Sequence, residues 1–147
     1  MAVFLKKMTM KITVNTRIVA DMATVWQAWN TPADIKQWNA ASSDWHTTDS
    51  QVDLRVGGGF SARMAAKDDS MAFDFAGTYT QVIEHELVEY TMADGRVVSV
   101  VFQAIDGAVA ISETFDAETQ NDAEMQRQGW QCILDNFAQY VASKNNI

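Results

Sequence analysis

The stretch GWQCILDNFAQYV, residues 129–141, decides how the rest of the chain is read. Trp130, Ile133, Leu134, Phe137 and Val141 recur three and four residues apart and share one face of a helix, while Gln131, Asp135, Gln139 and Lys144 lie off it. The pattern predicts a terminal helix over residues 121–143. Most of the sequence from residue 52 to residue 115 alternates instead with period two. A long helix with one oily face at the end of an antiparallel meander needs a surface to bury against, so the sheet is expected to curl around it.

Working back from the helix, the strands are read from alternation and their turns from Asp-Gly pairs. Val109, Ile111 and Phe115 form the last strand, and Asp106-Gly107 leads into it. Val98, Val100 and Phe102 form the one before, entered through Asp94-Gly95. Val88, Tyr90 and Met92 make a shorter strand. Phe73, Phe75, Gly77 and Tyr79 mark a long one after the acidic turn Lys67–Ser70. Upstream, Val52, Leu54 and Val56 alternate against Asp53 and Arg55, and Phe60, Ala62 and Met64 against Ser61 and Arg63. Gly57, Gly58 and Gly59 are therefore read as the turn between two antiparallel strands. A glycine loop that cradles phosphate leads from a strand into a helix, which is a different context. Arg55 and Arg63 are expected to face solvent.

The first strand runs through Met10, Ile12, Val14, Thr16 and Ile18. The period then changes: Asp21 caps a helix whose buried face is Met22, Val25, Trp26 and Trp29, and Thr31-Pro32 ends it and starts a second short helix. No repeat, low-complexity tract or linker interrupts the pattern, so residues 1–147 are read as one domain, with residues 1–9 a loosely ordered arm.

The bulk composition bounds the function classes. A chain of 147 residues, 48% hydrophobic and 20% charged, suits a single globular domain with a real core. A net charge of −8 argues against nucleic acid as a partner, because phosphate must be met by clustered Lys and Arg; Lys6, Lys7 and Lys11 are too few. The single cysteine, Cys132, excludes an internal disulfide and fits a reducing compartment; beside Ile133 it reads as a small buried hydrophobe. The segment MAVFLKK is short for a secretory signal, and no run reaches the roughly 20 apolar residues of a membrane span. A cytoplasmic location is expected.

Four segments, VWQAWNTPADIKQWN, VDLRVGGGFSARM, GTYTQVIEHELVEYT and GWQCILDNFAQYV, together resemble the activator of heat-shock-protein-90 ATPase homologue-like family, within the START-type and birch-pollen-allergen-type superfamily. The likeness spans residues 12–141. It implies an α+β helix-grip fold: a curved seven-stranded antiparallel sheet wrapped around a long C-terminal helix, two short helices after the first strand, and an apolar cavity between sheet and helix. Two departures stand out. The co-chaperone members carry an additional N-terminal domain for which this chain has no room, and Trp38 is followed by Asn39 where members commonly continue with a second aromatic and a Gly-Pro turn.

Within that frame, Trp26 and Trp130 are read as core or cavity floor, and Trp38 and Trp45, the latter in the polar segment NAASSDWHTTD, as the pocket rim. Met64, Phe73, Phe75, Tyr79, Met92, Val100, Phe102 and Phe137 supply walls. His46 is the candidate polar group at the mouth, although a lone His has many structural uses. Glu84, His85 and Glu86 read as a solvated connection. Glu113 shares strand parity with Ile111 and Phe115, so it either points into the cavity or lies on a bulge that turns it outward, exposed or Arg-paired; the outward state is the simpler. Neither His has metal-ligand spacing, and no catalytic residue, metal or cofactor is assigned.

The reading that follows is a protein that binds a small hydrophobic or amphipathic molecule. A polyketide cyclase or aromatase-like enzyme and a chaperone-linked stress-response interaction protein are the alternatives. An open sheet has edges to cover, so a homodimer is compatible with it.

Overall fold

The computed structural model describes residues 10–145; the arm expected over residues 1–9 lies outside the described residues. The elements run β1 (Lys11–Ile18), α1 (Met22–Asn30), α2 (Pro32–Trp38), β2 (Trp45–Val52), β3 (Gly59–Ala66), β4 (Ala72–Ile83), β5 (Leu87–Met92), β6 (Val97–Ile105), β7 (Ala108–Asp116) and α3 (Ala123–Asn145). One sheet holds all seven strands in the order β1-β7-β6-β5-β4-β3-β2, each pair antiparallel. β2 to β7 are thus a meander, and β1 adds to its far edge. The sheet curls into a half-barrel around α3, the helix-grip arrangement expected from the sequence.

The register explains the curl. Pairing slips by one residue between Thr47 and Asp49 in β2 and between Tyr79 and Gln81 in β4, and such bulges bend and twist a strand locally. On the concave side, Ile12, Val14, Ile111 and Phe115 meet Leu134, Phe137 and Val141 of α3 in a fully buried core. α3 also covers the edge of β1: the Arg127 guanidinium donates to the Thr13 carbonyl at 2.9 Å and the Gln131 amide to the Asn15 carbonyl at 2.9 Å. Unpaired carbonyls on an edge strand invite pairing with another chain, and these two are occupied.

The helices after β1 form as their sequence dictates. Asp21 Oδ1 accepts the Thr24 N–H at 2.7 Å, satisfying an orphan donor of the first turn of α1. Pro32 begins α2, but the Thr31 hydroxyl makes no capping bond; Thr31 instead closes α1 through its own N–H, which reaches the Gln27 carbonyl at 3.0 Å. Asp34 ties α2 to α3, accepting from the Tyr140 hydroxyl and from Lys144 Nζ at 2.5 Å.

The order of elements follows the sequence reading, with three corrections. The strand before the glycine turn is Trp45–Val52, not residues 52–56; Asp53 to Gly58 are turn, closed by the Asp53 N–H to the Gly59 carbonyl at 2.9 Å. Trp45 and His46, which the sequence places in a polar segment after the helices, therefore begin an edge strand. Cys132, expected to be buried, points out of α3 and is exposed. The glycine stretch itself is structural: Gly57 has φ +87°, and a Cβ on Gly58 would fall 2.1 Å from the Asp53 carbonyl oxygen. Gly57 and Gly58 also exchange backbone hydrogen bonds with Tyr79, at 2.8 and 2.9 Å, which pins the turn to β4.

Candidate functional site

Strand parity places the chemistry. β7 pairs without interruption with β1 and β6, Glu113 opposite Val14 on one side and Val100 on the other. With no bulge to rotate it, Glu113 must face the same way as Ile111 and Phe115, and it is only 5% exposed. The outward, Arg-paired state is thereby overturned. Burial pushes the Glu113 carboxyl up to about 8, because a charge in an apolar surround loses its hydration.

Glu113 lines a cavity of about 410 Å³ between the concave face of the sheet and α3. Trp29 and Trp38 stack on each other at 5.0 Å on the α1–α2 side, and the Trp38 indole N–H donates to the Ala28 carbonyl at 3.0 Å. From α3 comes Trp130, whose ring lies flat on Phe115 at 4.0 Å and meets the edge of Phe75. Met64, Phe75 and Tyr90 close the wall on β3, β4 and β5, while Asn39, Gln126, Gly129 and Ile133 complete it. Trp45 and Phe73 pack at 5.7 Å near the opening, where Phe73 and Ala41 are exposed.

Two further polar groups reach this space. The Tyr90 hydroxyl is raised well above its usual range, by burial first and then by the nearby Glu113 charge. Arg96, in the β5–β6 hairpin, lends its side chain to the wall while its Nε donates to Asp94 Oδ2 at 2.8 Å. A smaller recess of about 70 Å³ shares Trp29, Asn39, Phe75 and Tyr90 with the cavity; Tyr79 lines it, its hydroxyl pushed up to about 12 by burial and then by Asp53. The buried Ser50 hydroxyl at this recess has no hydrogen-bond partner among the described residues.

Of the residues singled out from sequence, Trp38, Trp45, Met64, Phe73, Phe75, Glu113 and Trp130 come together around the larger cavity, and Tyr79 around the smaller recess. Trp26, Met92, Val100, Phe102 and Phe137 are buried in the core and stand behind it. Trp26 and Trp29 each meet Phe102 edge-on, and Phe137 meets both Trp29 and Trp38. His46 alternates with Trp45 on β2, so it projects from the opposite face of the sheet. His85 sits at the β4–β5 turn with φ +67°, its ring 6.0 Å from Trp26. The sequence reading does not single out Tyr90, Arg96 or Gln126 as lining. Parity on β5 pointed to Tyr90 as readily as to Met92; for Arg96, a hairpin residue, no sequence signal existed. Among the described residues no three His, Cys, Asp or Glu side chains cluster as a metal ion requires.

The comparison with known families decides the kinship. The family model described as "Activator of Hsp90 ATPase homolog 1-like protein" matches residues 20–142. The chain belongs to that family. A solution structure of an AHSA1-like protein from Aeromonas hydrophila is 51% identical, covers 92% of this chain and 94% of its own, and superposes with a TM-score of 0.87. A second solution structure, from Cytophaga hutchinsonii, is 47% identical over 92% of this chain and 93% of its own, with a TM-score of 0.80. A crystal structure from Nitrosomonas europaea shares the fold at 17% identity, TM-score 0.80, over 91% of this chain and 95% of its own. No curated protein matches the chain. Family membership fixes the architecture around the cavity, and no helix among the described residues is long and apolar enough to cross a membrane.

Proposed function

We propose that this chain binds a small amphipathic molecule in the space between sheet and α3, its apolar body against the rings and its polar end at Glu113. The observation that carries the reading is the cavity of about 410 Å³, walled chiefly by aromatic side chains with one buried carboxyl. Ligand pockets typically span about 300–1,000 Å³ and combine such a lining with a few placed polar groups. Native mass spectrometry of freshly purified protein is expected to detect a bound small molecule, and Trp130→Ala, which removes the ring stacked on Phe115, is expected to lose it. A clean apo mass, together with no change of tryptophan fluorescence on adding amphiphiles, overturns the reading.

Catalysis of the cyclase type is the second reading, favoured by one observation: Glu113 and Tyr90 both face the cavity, and burial keeps both protonated near neutrality. A neutral carboxylic acid can give its O–H proton to a ketone oxygen while its other oxygen takes the α-proton, so the enol forms with the acid restored, and a phenol can donate a hydrogen bond to the same ketone oxygen. Turnover of a flexible polyketone that is lost in Glu113→Gln while binding persists supports the enzyme; equal turnover by the variant removes it.

A further inference from the structure

We propose that the head of the bound amphiphile is an ammonium group, held by the Glu113 carboxylate inside a cage of aromatic rings. The inference deepens the binding reading above and rests on it. Three observations meet in the same place. Glu113 is 5% exposed and aimed into the cavity. Among the described residues no hydrogen bond or ion pair holds its carboxyl, whose oxygens open on the cavity space, so their acceptor capacity is left for an occupant. The surrounding wall includes the rings of Trp29, Trp38, Trp45, Phe75, Tyr90 and Trp130, and an aromatic face left open to such a space attracts a cation.

An unpartnered buried carboxyl is costly unless the occupant satisfies it, and the occupant that does so fully brings both positive charge and, for a protonated amine, a donor. An anionic head would meet Glu113 as a like charge or leave it protonated. The other charged group on the wall, Arg96, is bound to Asp94 at 2.8 Å, and burial alone accounts for the raised Glu113 carboxyl. Tyr90 on β5 and Arg96 in the β5–β6 hairpin are the titratable groups that share the cavity with Glu113. The flanking strands place Val14 and Val100 beside it, and α3 contributes Gln126, Trp130 and Ile133, none of which titrates. In the empty site Glu113 holds its proton near neutrality, so uptake of a cation displaces that proton to solvent: close to one per ligand well below pH about 8, and none well above it.

Decyltrimethylammonium, decanol and decanoate share one chain and differ in head charge, and tryptophan fluorescence or calorimetry reads their binding. The cation is expected to bind tightest at about pH 9, with an affinity up to roughly a hundredfold above that at about pH 6. In Glu113→Gln its affinity is expected to fall and lose this pH dependence, while decanol still binds. Tighter binding of decanoate than of the cation, or an unchanged pH profile in Glu113→Gln, overturns the inference. Decanol binding without cation binding overturns it while leaving the cavity reading intact; if none of the three binds, the cavity reading fails as well.

Discussion

Glu113 shows how far a single position can be read from sequence. Its parity with Ile111 and Phe115 was plain, but parity alone left an outward bulge open; what decides is the unbroken pairing of β7 with both neighbours, which only the assembled sheet reveals. The consequence is measurable in the empty protein. The folded state raises the Glu113 carboxyl from its ordinary 4.5 to about 8, so over that interval the folded state holds a proton that the unfolded chain has released. Stability from this group is therefore whole below pH 4.5 and declines as pH rises to about 8, by at most about 5 kcal/mol. Urea denaturation at about pH 5 and about pH 9 is expected to show this decline in the wild type and a much flatter profile in Glu113→Gln. A wild-type profile as flat as the variant's would place the carboxylate in water.

Among the elements, β2 and the turn after it were the least legible, and for a physical reason. β2, WHTTDSQV, lies at a sheet edge with much of its outer face in water, and the bulge at Thr48 breaks the period of two by which a strand is recognised. Leu54 and Val56 carry on the apolar alternation past the true strand end, although Val56 is 63% exposed. The glycines, by contrast, were correctly read as a turn, because their role is steric and local. Gly58→Ala sets a methyl group against the Asp53 carbonyl, and is expected to destabilise the fold by about 2 kcal/mol or more in thermal melts, more than Gly95→Ala at an open hairpin tip. The α2–α3 strap is more modest. Tyr140→Phe removes one hydrogen bond to Asp34, while the Lys144 contact at 2.5 Å remains, so a loss of about 1 kcal/mol is expected from chemical denaturation.

The whole fold was legible because element order, not any one residue, carries it: a strand, two short helices, a meander and a terminal amphipathic helix admit few other closures. The cavity was only half legible. Sequence identifies which side chains face inward, but not which of them touch: Phe102 and Phe137 fill space against Trp29, whereas Trp130 lies flat on Phe115 and leaves room beside it. Since α1, α2, α3 and strands β2 to β5 and β7 all contribute to that wall, an occupant would bridge sheet and helices. At a hundredfold excess over its dissociation constant it is expected to add about 2.7 kcal/mol and raise the melting temperature by several degrees, an effect that Trp130→Ala should abolish. The outward Cys132 gives this a practical side. As the single thiol of the chain, set on the solvent face of α3 one position before the cavity residue Ile133, it accepts one maleimide dye or nitroxide without entering the interior. A paramagnetic tag there would report whether the rod tightens against its cradle when cargo arrives.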